Sequence, residues 1–339
     1  MKLNFQFISS LLLVVFCGLP YIFSNSCIAQ NKAADEPLAH TYSIVARDAK
    51  TGELAVGVQS HWFSVGSVVS WGEAGVGVIA TQSFVNKSFG IRGLNLLKQG
   101  HTPEEALNLL LSEDEGREVR QVAILSTDGK IATHTGQKCI RYAGHIQGAD
   151  FSVQANMMLN DKVWPAMARS FEENANLPLP ERIIAVMEAA EAAGGDIRGK
   201  QSASILVVKG TASAEPWNDV ILDLRVDDHK EPVKELERLL RVFRAYEHMN
   251  TGDYYMETGQ MKEALDEYRT AQKMLPKNLE MKYWYAITLA NNNELNEAIQ
   301  ILKKVYKEDR NWKTLTKRLP EAGLLTLNEK DLQRLLDVK

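Results

Sequence analysis

Polar side chains collect at the ends of predicted strands in the first part of the chain. Gln59, Ser60 and His61 end one strand, Thr81 and Gln82 end a glycine-rich strand, and Asn156 ends a third. Such groups at neighbouring strand ends can line one cleft and bind a substrate. Ser60 and His61 do not form a dyad within the strand, because adjacent strand residues point to opposite faces. The alternative is that these groups are only solvated strand ends.

Metal binding is a weaker hypothesis. Asp227, Asp228 and His229 are metal-capable, and His61, His134 and His145 add nitrogen donors. No His-x-x-x-His or Cys-x-x-Cys spacing connects them, so an ion-pair cluster at a domain boundary is favoured and no metal or other cofactor is implied.

Cysteine chemistry is not favoured either. Cys17 and Cys27 lie near the N-terminus, and Cys139 is the one cysteine in the rest of the chain, so we expect no intramolecular disulfide after removal of the N-terminal segment. No nearby residue pattern supplies a base to activate Cys139. We expect it to be a small buried residue.

The elements that must position the candidate residues alternate between strands and helices. Strands are predicted at 42–46, 54–58, 67–71, 75–81, 121–125, 131–134, 151–155, 203–208 and 220–226. Two pairs of helices interrupt them, at 89–98 and from Thr102 onward, and then at 163–174 and 179–193. This order predicts a layered α/β domain with helices on the outer faces of two antiparallel sheets.

Composition and the N-terminus narrow the class of protein. The chain has 339 residues, 45% of them hydrophobic, and a net charge of −4. Without a basic stripe, nucleic acid is not an expected partner. Lys2, an apolar run at 11–16 and the small residues before Ala29 predict a signal peptide over 1–29 and export to the periplasm or the extracellular space. A lipid anchor on Cys27 is the alternative. Residues 30–40 are predicted to be a flexible leader.

The C-terminal part, predicted to span 230–339, is helical and contains a repeat of 34 residues. One unit has small, aromatic and turn residues at Gly252, Tyr255, Gly259, Ala264, Tyr268, Ala271 and Pro276. The next unit has Ala286, Leu289, Asn293, Ala298, Leu302 and Val305. This spacing is typical of tetratricopeptide repeats. We expect either a concave surface for a protein partner or an appendage that stabilises the main domain.

The region from Thr41 to His229 resembles the bacterial DUF1028 family. The residues that carry the resemblance are the segments 42–48, 58–60, 73–82, 116–122, 198–203 and 225–229. The tail around 318–324 resembles a region that often follows this domain and has been called a peptidoglycan-binding region. The resemblance implies a four-layer αββα sandwich of the N-terminal-nucleophile (Ntn) hydrolase type, an α+β fold, over 41–229, followed by an all-α tetratricopeptide-like domain.

The resemblance also implies candidate catalytic residues. Ntn hydrolases attack amides with the side chain of the first residue of the first strand, and its free α-amine is the base; Thr41 matches that position. Gln82 is expected to stabilise an oxyanion, and Asp196 and Ser202 to orient the nucleophile. The expected substrate-binding residues are Gln59, Ser60, His61, Thr81, Asn156, Arg198 and Gln201, with Arg198 able to hold a substrate carboxylate.

The enzyme hypothesis has one strict requirement. A signal-peptide cut after Ala29 leaves eleven residues before Thr41, so a second cut between His40 and Thr41 is needed to free its amine. The favoured function is an exported amide hydrolase for a small or peptide-like substrate. The alternative is a non-catalytic envelope protein that binds a ligand or wall fragment in the sandwich and a partner on the repeats. The sequence leaves homo-oligomerisation open.

Overall fold

The computed structural model describes residues 38–338. The predicted signal peptide, Cys27 and residues 30–37 of the predicted leader lie outside this range. Within it, no helix has both the length and the apolar character needed to cross a membrane.

One sheet has six antiparallel strands in the order β11-β10-β3-β2-β9-β8. Its strands are β2 (Thr41–Arg47), β3 (Leu54–Ser60), β8 (Gly144–Gly148), β9 (Phe151–Ala155), β10 (Ser202–Val208) and β11 (Val220–Val226). The central strands are buried on both faces, so their sequences are almost continuously apolar.

The second sheet has five strands in the order β1-β5-β6-β7, and β4 also pairs with β5. Its strands are β1 (Leu38–Ala39), β4 (Ser70–Glu73), β5 (Gly77–Phe84), β6 (Arg120–Ser126) and β7 (Ile131–Thr135). The two-residue strand β1 pairs with the last residues of β5. Residues 38–40 are therefore not the flexible leader that the polar sequence predicts.

Helices cover the outer face of each sheet. α2 (Ser88–Lys98) and α3 (Pro103–Ser112) pack on the five-stranded sheet, and α4 (Val163–Glu173) and α5 (Leu179–Ala192) pack on the six-stranded sheet. Between the sheets, valines such as Val45 and Val56 meet Val78 and Leu125. The molecule thus has the expected four-layer αββα sandwich.

Two local predictions were wrong. The strand predicted at 67–71 begins instead with a short helical turn, α1 (Gly66–Val69), and the strand β4 starts at Ser70. The apolar run at 67–71 is too short for its hydrophobic periodicity to distinguish a helical turn from a strand. The edge strand β8, which contains glycines and His145, was missed for lack of an apolar pattern.

The C-terminal region consists of six helices. They are α6 (Pro232–Glu257), α7 (Met261–Met274), α8 (Leu279–Asn291), α9 (Leu295–Glu308), α10 (Asn311–Arg318) and α11 (Glu329–Leu336). The small and apolar repeat positions Ala264, Ala271, Ala286, Ala298 and Leu302 are all completely buried. The 34-residue repeat therefore forms the helical core that its spacing predicts.

Helix α6 belongs to both parts of the molecule. The sequence predicts a flanking helix that ends near Tyr246, but the helix continues without a break to Glu257. Its first half, with Leu236 and Leu240, packs in the sandwich core, and its second half, with Met249, packs among the repeats. Arg244, at the crossing point, donates bonds of 2.8 and 2.9 Å to the Glu181 carboxylate on α5.

Gly252 on α6 packs closely against Tyr268 on α7, which gives a test of the repeat. A Cβ atom at this position would lie 2.8–3.0 Å from ring atoms of Tyr268. We expect Gly252→Val to destabilise the helical region by about 2 kcal/mol, because neither the ring nor the helix can move freely. The measurement is urea unfolding followed by circular dichroism.

Asn250→Val is the matched control, because Asn250 is exposed on the same helix. This variant should change the free energy of unfolding by less than about 0.5 kcal/mol. Equal losses in the two variants would contradict the packing explanation.

Candidate functional site

Thr41 is the first residue of β2 and has no solvent-accessible surface. Its hydroxyl Oγ1 donates a hydrogen bond of 2.6 Å to the carbonyl of Ala39. Its own carbonyl accepts from the backbone N–H of Asn156 at 3.0 Å and from Nε2 of Gln82 at 3.2 Å. The hydroxyl is therefore held by the carbonyl of the Ala39–His40 peptide bond, one residue before the His40–Thr41 bond.

Residues 38 and 39, directly before His40, are paired in the sheet. Ala39 pairs with Ser83 of β5. His40 Nδ1 donates a hydrogen bond of 2.7 Å to Asn156 Oδ1, and the ring centroid lies 5.5 Å from that of Phe84 in an edge-on contact. Burial lowers the pKa of His40, so its imidazole is neutral at pH 7. This short segment covers Thr41.

The carbonyl oxygen of His40 is the acceptor for two side-chain donors. Ser60 Oγ donates to it at 2.6 Å and Arg198 Nη2 donates to it at 2.6 Å. A hydroxyl and a guanidinium together on one backbone carbonyl polarise it and would stabilise negative charge on its oxygen. The carbonyl of the His40–Thr41 peptide bond is thus in an oxyanion-hole-like setting.

Asp196 holds Arg198 in this position. Its carboxylate accepts from Arg198 Nη2 at 2.7 Å, from Arg198 Nε at 3.1 Å and from the Arg198 backbone N–H at 2.9 Å. The Asp196 side chain is completely buried, whereas the Arg198 side chain is 27% exposed. The fork of Arg198 is therefore occupied by Asp196 and His40 when residues 38–40 are in place.

Three amide side chains form a network behind Thr41. Gln121 Oε1 accepts from Gln82 Nε2 and from Asn156 Nδ2, both at 2.7 Å. Gln121 Nε2 donates to the carbonyl of Ala155 at 2.9 Å. The network ties β5 and β6 of one sheet to β2 and β9 of the other.

Gln82 does not lie where an oxyanion stabiliser is needed. Its Nε2 contacts the carbonyl of Thr41 itself, whereas the carbonyl before Thr41 is held by Ser60 and Arg198. The geometry therefore gives Gln82 the role of positioning β2, while Ser60 and Arg198 hold the His40 carbonyl.

The predicted site residues separate into two groups. Thr41, Ser60, Gln82, Asn156, Asp196 and Arg198 surround the His40–Thr41 peptide bond through the contacts above. Gln59 and Thr81 alternate with Ser60 and Gln82 along their strands and face the outer helices. They do not line the space between the sheets.

Three further candidates have structural contacts away from Thr41. Ser202 donates to the carbonyl of Trp62 and accepts from the N–H of Val65, so it holds the loop after β3. Gln201 contacts Asp228 at 3.2 Å, and the exposed His61 places its backbone N–H 3.3 Å from Asp196. Within residues 38–338, none of the three forms a hydrogen bond with the Thr41 hydroxyl.

Sequence reasoning missed two residues of the site, His40 and Gln121. His40 was assigned to the leader, and Gln121 was noted only as part of a family segment. A usable signal for Gln121 was present, because a glutamine that begins an otherwise apolar strand, Gln121-Val122-Ala123-Ile124-Leu125, needs a buried partner.

The remaining chemical candidates are not part of this site. Cys139 Sγ lies 3.4 Å from the carbonyl of Arg120, and burial raises the pKa of its thiol, which makes it a poor nucleophile at pH 7. Within residues 38–338 no group of three or more His, Cys, Asp or Glu side chains is arranged to hold a metal ion.

Comparison with known proteins identifies the main domain. A family model described as a family of unknown function, DUF1028, matches residues 41–236, which is more than half of the chain. The chain belongs to the DUF1028 family. The DUF1028 match starts at Thr41, so residues 38–40 precede it.

A solved DUF1028 structure supports the fold assignment. Protein SPO2555 from Silicibacter pomeroyi is 31% identical, with a TM-score of 0.54 over 60% of this chain and 85% of that chain. Anbu, the ancestral beta-subunit from Yersinia bercovieri, is 13% identical, with a TM-score of 0.29 over 60% of this chain and 96% of its own. No curated protein matches the chain.

The helical region outside the DUF1028 domain has its own match. A tetratricopeptide repeat model matches residues 255–319. Repeats of this kind generally serve protein–protein interaction.

Replacing Gln59 or Gln82 by methionine is expected to change the stability of the protein in opposite directions. Both polar atoms of the buried Gln59 side chain lack a hydrogen-bond partner among the described residues, whereas Gln82 Nε2 has the partners given above. We expect Gln59→Met to stabilise the protein by about 1 kcal/mol and Gln82→Met to destabilise it by about 1–2 kcal/mol. Urea unfolding measures both.

Each glutamine variant is the control for the other, because size and chemistry change identically. If Gln59→Met destabilises the protein as much as Gln82→Met does, Gln59 has a polar role that these contacts do not include.

Proposed function

We propose that the protein is an exported precursor of an amide hydrolase, and that its first reaction is cleavage of its own His40–Thr41 peptide bond. The observation that carries this proposal is the double hydrogen bond from Ser60 and Arg198 to the His40 carbonyl. The carbonyl of an ordinary buried peptide bond needs one hydrogen-bond donor, and that donor need not be charged. Here the donors are a hydroxyl and a guanidinium that a buried carboxylate holds in place.

The cleavage step follows from this arrangement. Thr41 Oγ1 attacks the His40 carbonyl carbon, and the negative charge that forms on the carbonyl oxygen is stabilised by Ser60 and Arg198. The C–N bond breaks, and the hydroxyl proton passes to the departing nitrogen through a water molecule. The resulting ester between His40 and the Thr41 side chain is hydrolysed by water, which leaves a His40 carboxylate and a free Thr41 amine.

Cleavage would supply the missing base. The α-amino group of Thr41, with a pKa near 8, can accept the proton of its own hydroxyl at neutral pH. Thr41 is completely buried while residues 38–40 are in place, so a substrate reaches the hydroxyl when this segment leaves. The acyl group of the substrate would then occupy the position of His40, and its carbonyl oxygen would bind to Ser60 and Arg198.

Export and partner binding belong to the same proposal. The apolar N-terminal segment and the small residues before Ala29 support secretion, and the first cut after Ala29 would leave residues 30–40 as a short propeptide. A cell-wall or protein partner on the helical repeats is the proposed role of the C-terminal region. The proposed substrate is a small or peptide-like amide.

Self-cleavage is tested by intact-mass measurement of the purified protein over time. We expect a product that begins at Thr41, and we expect Thr41→Ser to retain the reaction and Thr41→Ala to abolish it. Ser60→Ala should slow it by about 100-fold, because one oxyanion donor is lost. Thr51→Ala, in the exposed hairpin between β2 and β3, is the control and should cleave at the normal rate.

A wild-type protein that stays intact before Thr41, both as secreted and after long incubation, would contradict the proposal. It would favour the second candidate function, a non-catalytic binding protein, for which the pairing of β1 in the sheet and the complete burial of Thr41 are the supporting observations.

Catalysis after cleavage is tested with a β-lactone probe. We expect the cleaved protein to be labelled at Thr41, and the uncleaved Thr41→Ala variant to remain unlabelled, because the probe needs a free hydroxyl with an adjacent amine. Peptide mapping by mass spectrometry locates the label. Labelling at another residue in both proteins would reject Thr41 as the nucleophile.

A further inference from the structure

Two rows of basic side chains lie on neighbouring helices at the C-terminal end of the repeats. Lys303, Lys307 and Arg310 follow one another along α9 and the turn after it, and Lys313 and Lys317 lie one turn apart on α10. Like charges four residues apart weaken a helix slightly. Repeating that arrangement on two adjacent helices concentrates positive charge at one place.

The two rows face a common cavity. Its volume is about 640 Å³, and all five of these cations line it, together with Tyr306, Thr314 and Val338. No aspartate or glutamate is among the lining residues within 38–338. A cavity of this size accommodates a small molecule with several charged groups.

The positive charge of this cavity is not compensated by neighbours. Among residues 38–338, none of the five cations is within ion-pair distance of an aspartate or glutamate, whereas Arg269 pairs with Asp266 and Arg334 with Asp331 in the same helical region. Residues 303–318 contain seven basic and two acidic residues, although the whole chain has a net charge of −4. One of the two acids, Asp309, accepts the N–H of Asn311.

The wall of the cavity adds neutral groups. Burial raises the pKa of Tyr306 to about 12, so its phenol carries no charge at pH 7. The Tyr306 hydroxyl lies 2.7 Å from Thr316 Oγ1, which fixes the ring against α10. The exposed Thr314 hydroxyl can also donate a hydrogen bond to an anion.

We propose that this cavity binds a soluble polyanion, a small molecule with several phosphate or carboxylate groups. The lysines supply charge at several points, and Arg310 supplies a planar fork that fits either group. This site lies in the repeats and does not depend on the proposed hydrolase reaction at Thr41.

Isothermal titration of the purified full chain tests the proposal, with inorganic tripolyphosphate as the phosphate probe and citrate as the carboxylate probe. We expect one binding site for at least one probe, with affinity that falls by roughly tenfold between about 20 and 200 mM NaCl, because salt screens exposed charges. The probe that binds more tightly identifies the anionic group.

The decisive variant is Lys307→Ala combined with Lys313→Ala, which removes one cation from each row. We expect binding to weaken by at least about tenfold. Lys262→Ala combined with Lys277→Ala is the matched control, because both lysines are exposed in the same helical region and form no ion pair within residues 38–338. Circular dichroism verifies that both variants are folded.

Three results would overturn the proposal. They are no binding of either probe at low salt, equal weakening in the control variant, and binding only to vesicles of phosphatidylglycerol and phosphatidylcholine. The last result would identify a membrane surface instead of a soluble polyanion.

Discussion

The two sheets of the sandwich are joined at one end by side-chain amides, and the position of Thr41 depends on this connection. Gln82 reaches from β5 to the carbonyl of Thr41, and Gln121 reaches from β6 to the carbonyl of Ala155. At the other end of the sandwich, valines and leucines fill the space between the two sheets. A buried amide costs free energy unless its donors and acceptors are paired. Gln121 and Asn156 have partners for both oxygen and nitrogen, and Gln82 has them for its nitrogen alone among the described residues. These directional bonds fix the spacing and register of the sheets more strictly than apolar contacts do.

The same network holds His40 and its neighbours 38 and 39 in place. Asn156 binds the His40 ring with its oxygen and Gln121 with its nitrogen, so a single side chain connects the segment in front of β2 to the amides behind it. Ser60 and Arg198 both donate hydrogen bonds to the carbonyl of His40, which links this segment to Thr41. Residues 38–40, the nucleophile candidate and both sheets are therefore parts of one hydrogen-bonded unit.

Most of the fold could be predicted from the sequence, because apolar runs, hairpin turns and the 34-residue spacing are local signals. Part of the site could be predicted as well: Thr41, Ser60, Gln82 and Asn156 meet because they lie at or near the ends of strands of one sandwich. The sequence does not show whether Gln59 or Ser60 points between the sheets, nor whether Thr81 or Gln82 does. Strands that are buried on both faces lack the alternation of apolar and polar residues that would distinguish the two faces. The pairing of residues 38–39 with β5 could not be predicted either, because it is a long-range contact and two residues are too few to show a strand pattern.

The continuous helix α6 has a mechanical consequence. Its two halves are packed into different cores, and the Arg244–Glu181 ion pair fastens its midpoint to α5. A continuous helix of 26 residues connects the sandwich to the repeats rigidly, because it contains no loop that could serve as a hinge. A partner that binds to the repeats would therefore reorient the sandwich along with them.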